Sequence, residues 1–295
     1  MEDLKIKCSI KPEMVRIFPF IFILLWSSAF ITTKPIIDNS DPFSALAFRF
    51  FIVAIGFYLF SIYTKHSVVV PKKNLLESVA SGVLFHGFYL GGVFYSISIG
   101  MPTGIAALIV TLQPVLTNAL SGPILGEKVS AKQWIGVVLG FAGATLVLGL
   151  DIGSEIPITG LIATIIALIA ITSSTIWQKK LSNNLPLSVS NFYQAVGGCL
   201  FHILIIIFFA KPYIDFSQTF LIAMSHQIFL VSFGAFTILM YLIKNNSASK
   251  TVSIFFLIPA TSAFMAWLFL NESLTNLDLL GFLITTIGVY IATRD

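Results

Sequence analysis

Ten apolar runs of helical length dominate this chain, at roughly 15–36, 42–63, 75–99, 103–125, 131–150, 157–179, 187–210, 217–243, 250–270 and 276–293. A bilayer core about 30 Å thick is crossed by roughly 20 helical residues, which each run supplies. Inside hydrocarbon every backbone N–H and C=O must be paired within the protein, so helices or a closed barrel are the available solutions. Barrel strands alternate apolar and polar residues over about ten positions; no such alternation occurs here. The sequence therefore predicts an all-α integral membrane protein with ten transmembrane helices and no soluble domain left over. Hydrophobic residues at 57%, charged residues at 10% and a mean hydropathy of +0.94 exclude an ordinary soluble fold for the 295 residues. The joints, such as Asp38–Pro42, Gly100–Gly104 and Leu181–Pro186, concentrate the Pro, Gly, Asn, Asp and Ser residues that end helices and make turns.

Lys5, Lys7, Lys11 and Arg16 precede the first run, a pattern shared with secretory signals, but the run is too long and lacks an A-x-A site. It is read as the first span. When joints are assigned alternately to two sides, fourteen of the seventeen Lys and Arg fall on one side. Lys34 and Lys211 fall on the other, and Arg49 lies inside the second span. That bias places the N- and C-termini in the cytoplasm of a multi-pass protein of the cell (inner) membrane. The net charge of +4 and pI near 9 then report topology, and nucleic acid is not expected as a partner. Cys8 and Cys199 are placed too far apart to suggest a disulfide.

The chain also repeats itself. A shift of 145 residues aligns Pro114 with Pro259, Glu127 with Glu272, Gly136 with Gly281 and Gly143 with Gly288, without a gap. A weaker echo at 146 lays Ser27, Ser28 and Lys34 over Ser173, Ser174 and Lys180. The sequence thus divides into a first repeat, 1–150, and a second, 151–295, of five spans each. Five being odd, the second repeat enters the membrane from the opposite side, and inverted repeats of this kind build alternating-access sites near the bilayer midplane.

Three segments carry a family resemblance: "LLWSSAFITTKPII" (24–37) running into "DPFSALAFRF" (41–50), "QPVLTNALSGPILGEKVSAKQWIGVVLGFAG" (113–143) and "IPATSAFMAWLFLNESLTNLDLLGFLITTIG" (258–288). With ten spans in this order, the chain resembles the EamA-type permeases of the drug/metabolite transporter superfamily. The resemblance implies a pocket between the halves lined by helices 1 to 4 and 6 to 9, with helices 5 and 10 peripheral. It also implies a secondary transporter of a small metabolite, often an exporter of amino acids or similar solutes.

Physically, Pro114 and Pro259 each remove a helix hydrogen bond and clash with the carbonyl four residues back, at Val110 and Phe255. Both are expected to act as hinges facing the central cavity. Glu127 and Glu272 are expected to cap the start of helices 5 and 10. Gly136, Gly140 and Gly143, with Gly281, Thr285 and Gly288, form small-residue faces for close helix packing. Whether the packed neighbour belongs to this chain or to a second subunit is open at this level, so a homodimer stays open too.

Ionisable groups at membrane depth are costly and face protein or cavity. Arg49, His86, His202 and His226 are the candidates, and Ser78, Gly82, His86, Tyr89 and Ser96 share one face of the third span. His86, Tyr89 and Arg49 are expected to bind substrate, joined by Trp26 and Ser27 on helix 1, Gln113 and Asn118 near the first kink, Trp177 and Gln194 on helices 6 and 7, and Trp267 on helix 9. Such a mixture suits a mostly apolar small-molecule pocket. No paired carboxylates, nucleophile triad or metal cluster is present, so no enzyme activity, metal or cofactor is expected. The competing classes are a membrane enzyme, a channel, and within transport a nucleoside or drug exporter.

Overall fold

The computed structural model describes residues 16–149, 156–181, 184–209, 211–270 and 275–294. The ten expected spans are present as ten long apolar helices. They are α1 (Phe18–Asp38), α2 (Pro42–Tyr63), α3 (Lys72–Ser98), α4 (Thr103–Val110 and Gln113–Leu125), α5 (Ala131–Leu148), α6 (Ile158–Leu181), α7 (Leu187–Phe209), α8 (Gln218–Asn245), α9 (Ala248–Ser253, Ile254–Phe256 and Leu257–Leu270) and α10 (Asn276–Thr293). Short polar caps start several of them. Asp41 accepts from the Ser44 N–H at 2.8 Å, and Ser247 accepts from the Lys250 N–H at 3.3 Å. The flanks of the bundle carry large exposed apolar side chains, among them Phe51, Leu59, Phe208 and Leu283. In water that much apolar surface would drive aggregation; lipid covers it.

Four of the ten helices are irregular. α3 winds as a π-helix over Val83–Leu90, and α8 does so over Gln227–Ala235. α4 breaks between Val110 and Gln113, and α9 passes through a 3-10 turn at Ile254–Phe256. Each break falls just before a proline, so Pro114 and Pro259 sit in the first turn of the following segment, where a missing N–H costs little. The expected distortion is therefore real, but it is a break followed by a proline-started segment.

The glycine faces meet within this one chain. On α5 and α10, a Cβ added at Gly136 would lie 2.6 Å from the Gly288 carbonyl oxygen, and one at Gly288 would lie 2.8 Å from that of Gly136. Gly143 and Gly281 oppose each other in the same reciprocal way, at 2.7 Å in both directions. Backbone touches backbone there, with Val137, Ala144, Val289 and Ala292 packed around the contact. The same small-residue face cannot also serve a second subunit.

The capping expectation for Glu127 is corrected. α5 starts at Ser130, whose side chain accepts from the Gln133 N–H at 3.1 Å. Gly126, at φ +71°, ends α4 in a left-handed turn that redirects the chain. Glu127 then reaches across to the start of α9, accepting from the N–H groups of Ala248 and Ser249 at 2.7 and 3.2 Å and from the Ser249 hydroxyl at 2.9 Å. Its carboxylate caps a helix of the other half, not the next one in sequence. Glu272 lies outside the described residues. α10 is started by a capping box in which Thr275 and Asp278 exchange hydrogen bonds.

Candidate functional site

Two apolar cores flank the middle of the bundle. One gathers Phe22, Trp26, Phe85, Phe236 and Phe255 from α1, α3, α8 and α9; the other gathers Phe50, Val53, Phe57 and Ile228 from α2 and α8. Between them lies a cavity of about 50 Å³ lined by α1, α2, α3 and α8. Its walls are mostly apolar, from Trp26, Phe30, Phe85, Val93, Phe94, Val231 and Phe236, with Thr33, Arg49, His86, Tyr89, Gln227 and Ser232 supplying polar groups. A cavity of roughly 150 Å³ is needed to hold benzene. This one therefore holds a few atoms, and a metabolite fits only after the surrounding helices separate.

Arg49 is the unusual member. It is 4% exposed, its Nε donates to Ser232 Oγ at 2.9 Å, and its guanidinium carbon lies 5.4 Å from the Phe50 ring centroid. No carboxylate pairs with it among the described residues; the Lys34–Asp38 ion pair is at the exposed end of α1. Burying a cation without a counter-charge is expensive. His86 packs its ring 4.3 Å from Phe50 and 4.6 Å from Phe236, and its buried Nδ1 lacks a hydrogen-bond partner. His202, outside the cavity, donates from Nε2 to the His86 carbonyl at 3.0 Å and so fixes α7 to α3.

Three polar members, Thr33, Gln227 and Ser232, were not anticipated from sequence. Gln227 donates from Nε2 to Ala29 O at 2.9 Å and Thr32 Oγ1 at 2.9 Å, tying α8 to α1. Ser232 receives Arg49. The two are five residues apart, off-register on an α-helix but matched to the i to i+5 turn of the π-segment that contains both. His226 adds to the same seam, with its ring nitrogens 3.0 Å from Ser28 Oγ and 3.3 Å from Thr32 Oγ1.

Of the sequence candidates, Trp26, Arg49, His86 and Tyr89 are brought together around the cavity, and the others are not. Ser27 is buried beside it, joining α1 to α9 through hydrogen bonds with Ile258 O and Ser262 Oγ. Gln113 donates to Thr175 Oγ1 at 3.0 Å, linking α4 to α6, and Asn118 turns back to Pro114 O at 2.7 Å. Gln194 pairs with Gln178. Trp177 is half-buried away from the cavity, and Trp267 is 45% exposed, packed against Phe264 at 5.5 Å on the outside of the bundle. Pro114 and Pro259 are buried but do not line the cavity.

A second, larger cleft of about 710 Å³ opens at the Lys-rich end of the bundle, between α1, α2, α8 and the α6–α7 joint. Phe18, His66, Asn191, Thr237, Tyr241 and Lys244 are among its lining residues. The cleft and the cavity share α8, where Phe236 lines one and Thr237 the other. No group of three or more His, Cys, Asp or Glu able to hold a metal occurs among the described residues.

Comparison with known proteins gives a consistent result. Residues 15–149 and 158–294 each match the EamA-like transporter family. The chain is 24% identical over 281 residues to "Uncharacterized transporter YvbV" of Bacillus subtilis, covering 90% of this chain and 87% of that protein. It is 21% identical over 294 residues to "Probable amino-acid metabolite efflux pump" of Escherichia coli, covering 93% of both. A solved crystal structure of 18% identity superposes with a TM-score of 0.77 over 95% of this chain and 97% of the other, which shows the fold.

Proposed function

This chain belongs to the EamA-like transporter family, and we propose that it is a secondary transporter moving a small metabolite, an amino acid or similar solute, outward across the cell membrane by alternating access. The observation that carries this is the central cavity, closed by three helices of the first half and one of the second, with its π-wound walls in matching places. Shifting 83–90 by 145 gives 228–235, against an observed π-segment of 227–235 in α8. The breaks before Pro114 and Pro259 coincide under the same shift to within about two residues, counted from the helix bounds.

Contacts between halves are duplicated in the way a two-fold axis in the membrane plane requires. Under the 145 shift the Gly136–Gly288 contact becomes Gly281–Gly143. Likewise the Ser28–His226 bond between α1 and α8 has its counterpart in Ser174–Ser81, between α6 and α3, at 3.2 Å. These pairings support two inverted repeats, 1–150 and 151–295. The lysine distribution supports cytoplasmic termini and, with them, the reading of the large cleft as the cytoplasmic approach to the cavity. Outward transport is favoured by the efflux function named for the Escherichia coli relative.

The direct test is solute flux into proteoliposomes containing the purified chain. Saturable uptake accelerated by unlabelled solute on the opposite side is expected. A large unsaturable conductance would make it a channel, and chemical conversion of the solute would make it an enzyme.

A further inference from the structure

We propose that the transported solute is an organic anion, a single carboxylate on an apolar or aromatic body without a fixed positive charge, and that Arg49 is its counter-ion. The inference rests on the transporter assignment and, among amino acids and similar solutes, replaces the amino acid with a carboxylate that lacks the amine. Arg49 brings a guanidinium cation to membrane depth. It is buried, its Nε is taken by Ser232, and no acidic side chain pairs with it among the described residues. No Asp or Glu lies in the middle of any apolar span, so the protein brings no internal counter-charge at this depth. An arriving carboxylate supplies it, and the remaining guanidinium N–H groups match the two carboxylate oxygens in a forked pair.

The rest of the cavity restricts the body of the solute. Trp26, Phe30, Phe85 and Phe236 offer rings and no negative charge. A free ammonium on the solute would enter a cavity already holding one uncompensated cation. His86, whose buried Nδ1 has no partner, adds a second group able to donate to an anion. The cleft at the Lys-rich end carries the same sign: Lys244 lines it and, among the described residues, no Asp or Glu does. A path that is cationic at its mouth and at its centre draws in anions and disfavours amines.

The test uses the full-length purified chain and a panel of straight-chain, branched and aromatic carboxylates, each with its amine and amino-acid counterpart; 3-phenylpropanoate, phenethylamine and phenylalanine form the aromatic set. Thermal stabilisation is read first, then counterflow in proteoliposomes. Carboxylates are expected to stabilise and to exchange, amino acids less, and amines not at all. Arg49→Met is expected to weaken the best carboxylate by about 30-fold or more, as loss of a buried charge partner does. Arg49→Lys, which keeps the charge and loses the fork, is expected to retain part of the affinity, and it separates lost binding from lost folding. Equal stabilisation by amines, no effect of any carboxylate, or carboxylate affinity unchanged in Arg49→Met overturns the inference. Saturable exchange of a neutral or cationic solute would overturn the anion assignment while leaving the transporter assignment standing; absence of saturable flux for every solute would remove the latter.

Discussion

Adding one methyl group at Gly143 should pry apart the two peripheral helices. A Cβ there would sit 2.7 Å from the Gly281 carbonyl oxygen and 2.5 Å from the Thr285 backbone nitrogen. Non-bonded carbon contacts are optimal at about 3.5–4.0 Å, so α5 and α10 must separate locally by roughly 1 Å. The Thr285 hydroxyl is also in the way, but these two atoms are backbone, which cannot rotate away as a side chain would. Overpacking of this kind costs about 1–3 kcal/mol, offset by up to about 1 kcal/mol for replacing a helical glycine with alanine. The net loss for Gly143→Ala is about 1–2 kcal/mol, or a few degrees in melting temperature for a chain of this size. Gly140→Ala should also lose stability, because the three atoms nearest its Cβ belong to the ring of the fully buried Phe256, at 2.6–3.2 Å. Gly122→Ala is the control: its nearest neighbour would be Glu127 O at 3.5 Å, an ordinary contact, so stability should hold or rise. Fluorescence-detected melting in detergent reads all three. If Gly143→Ala melts at or above the parent, the backbone contact between α5 and α10, and with it the reciprocal pairing of the two halves, is wrong.

Other substitutions separate structural from functional polar groups. Glu127→Ala removes three hydrogen bonds to the start of α9 and should cost about 1–2 kcal/mol; hydrogen exchange at Ala248 and Ser249 should accelerate about tenfold for each 1.4 kcal/mol lost. Slow exchange retained in that variant would show that another group caps α9. Gln227→Ala strips α1 of two hydrogen bonds at Ala29 O and Thr32 Oγ1, so it should destabilise by about 1–2 kcal/mol and reduce flux severalfold. Trp267→Ala, on the exposed face of α9, should leave solute affinity unchanged and alter stability by no more than about 0.5 kcal/mol.

The spans, their order and the family were legible because a bilayer makes length and hydropathy nearly sufficient evidence. The expected ends fall within three residues of the observed ones, as at 75–99 against Lys72–Ser98. The cavity was half legible. Arg49, His86 and Tyr89 stood out as polar groups in apolar runs, and they do converge. Gln227 and Ser232 were hidden because their spacing of five makes sense only on a π-helix, and π-winding leaves no period that an α-helical search detects. Gln113, Gln194 and Asn118 stand away from the cavity. Each donates to a neighbouring helix or to its own helix, although Gln113 Oε1 and Asn118 Oδ1 stay buried without a partner, and composition does not distinguish a polar group that ties helices together from one that awaits a ligand. Glu127 was given to the wrong helix because the left-handed turn at Gly126 redirects the chain toward the opposite half.

The central claim is that one site between two inverted halves opens to one side of the membrane at a time. Thr33 lines the cavity and is partly buried, so a cysteine there, in a chain with Cys8 and Cys199 replaced, reports access directly. Membrane-impermeant thiol reagent is applied from each side of oriented vesicles, with and without saturating solute. Alternating access predicts that solute changes the two labelling rates in opposite directions. Rates that rise or fall together, or simultaneous free access from both sides, would contradict it.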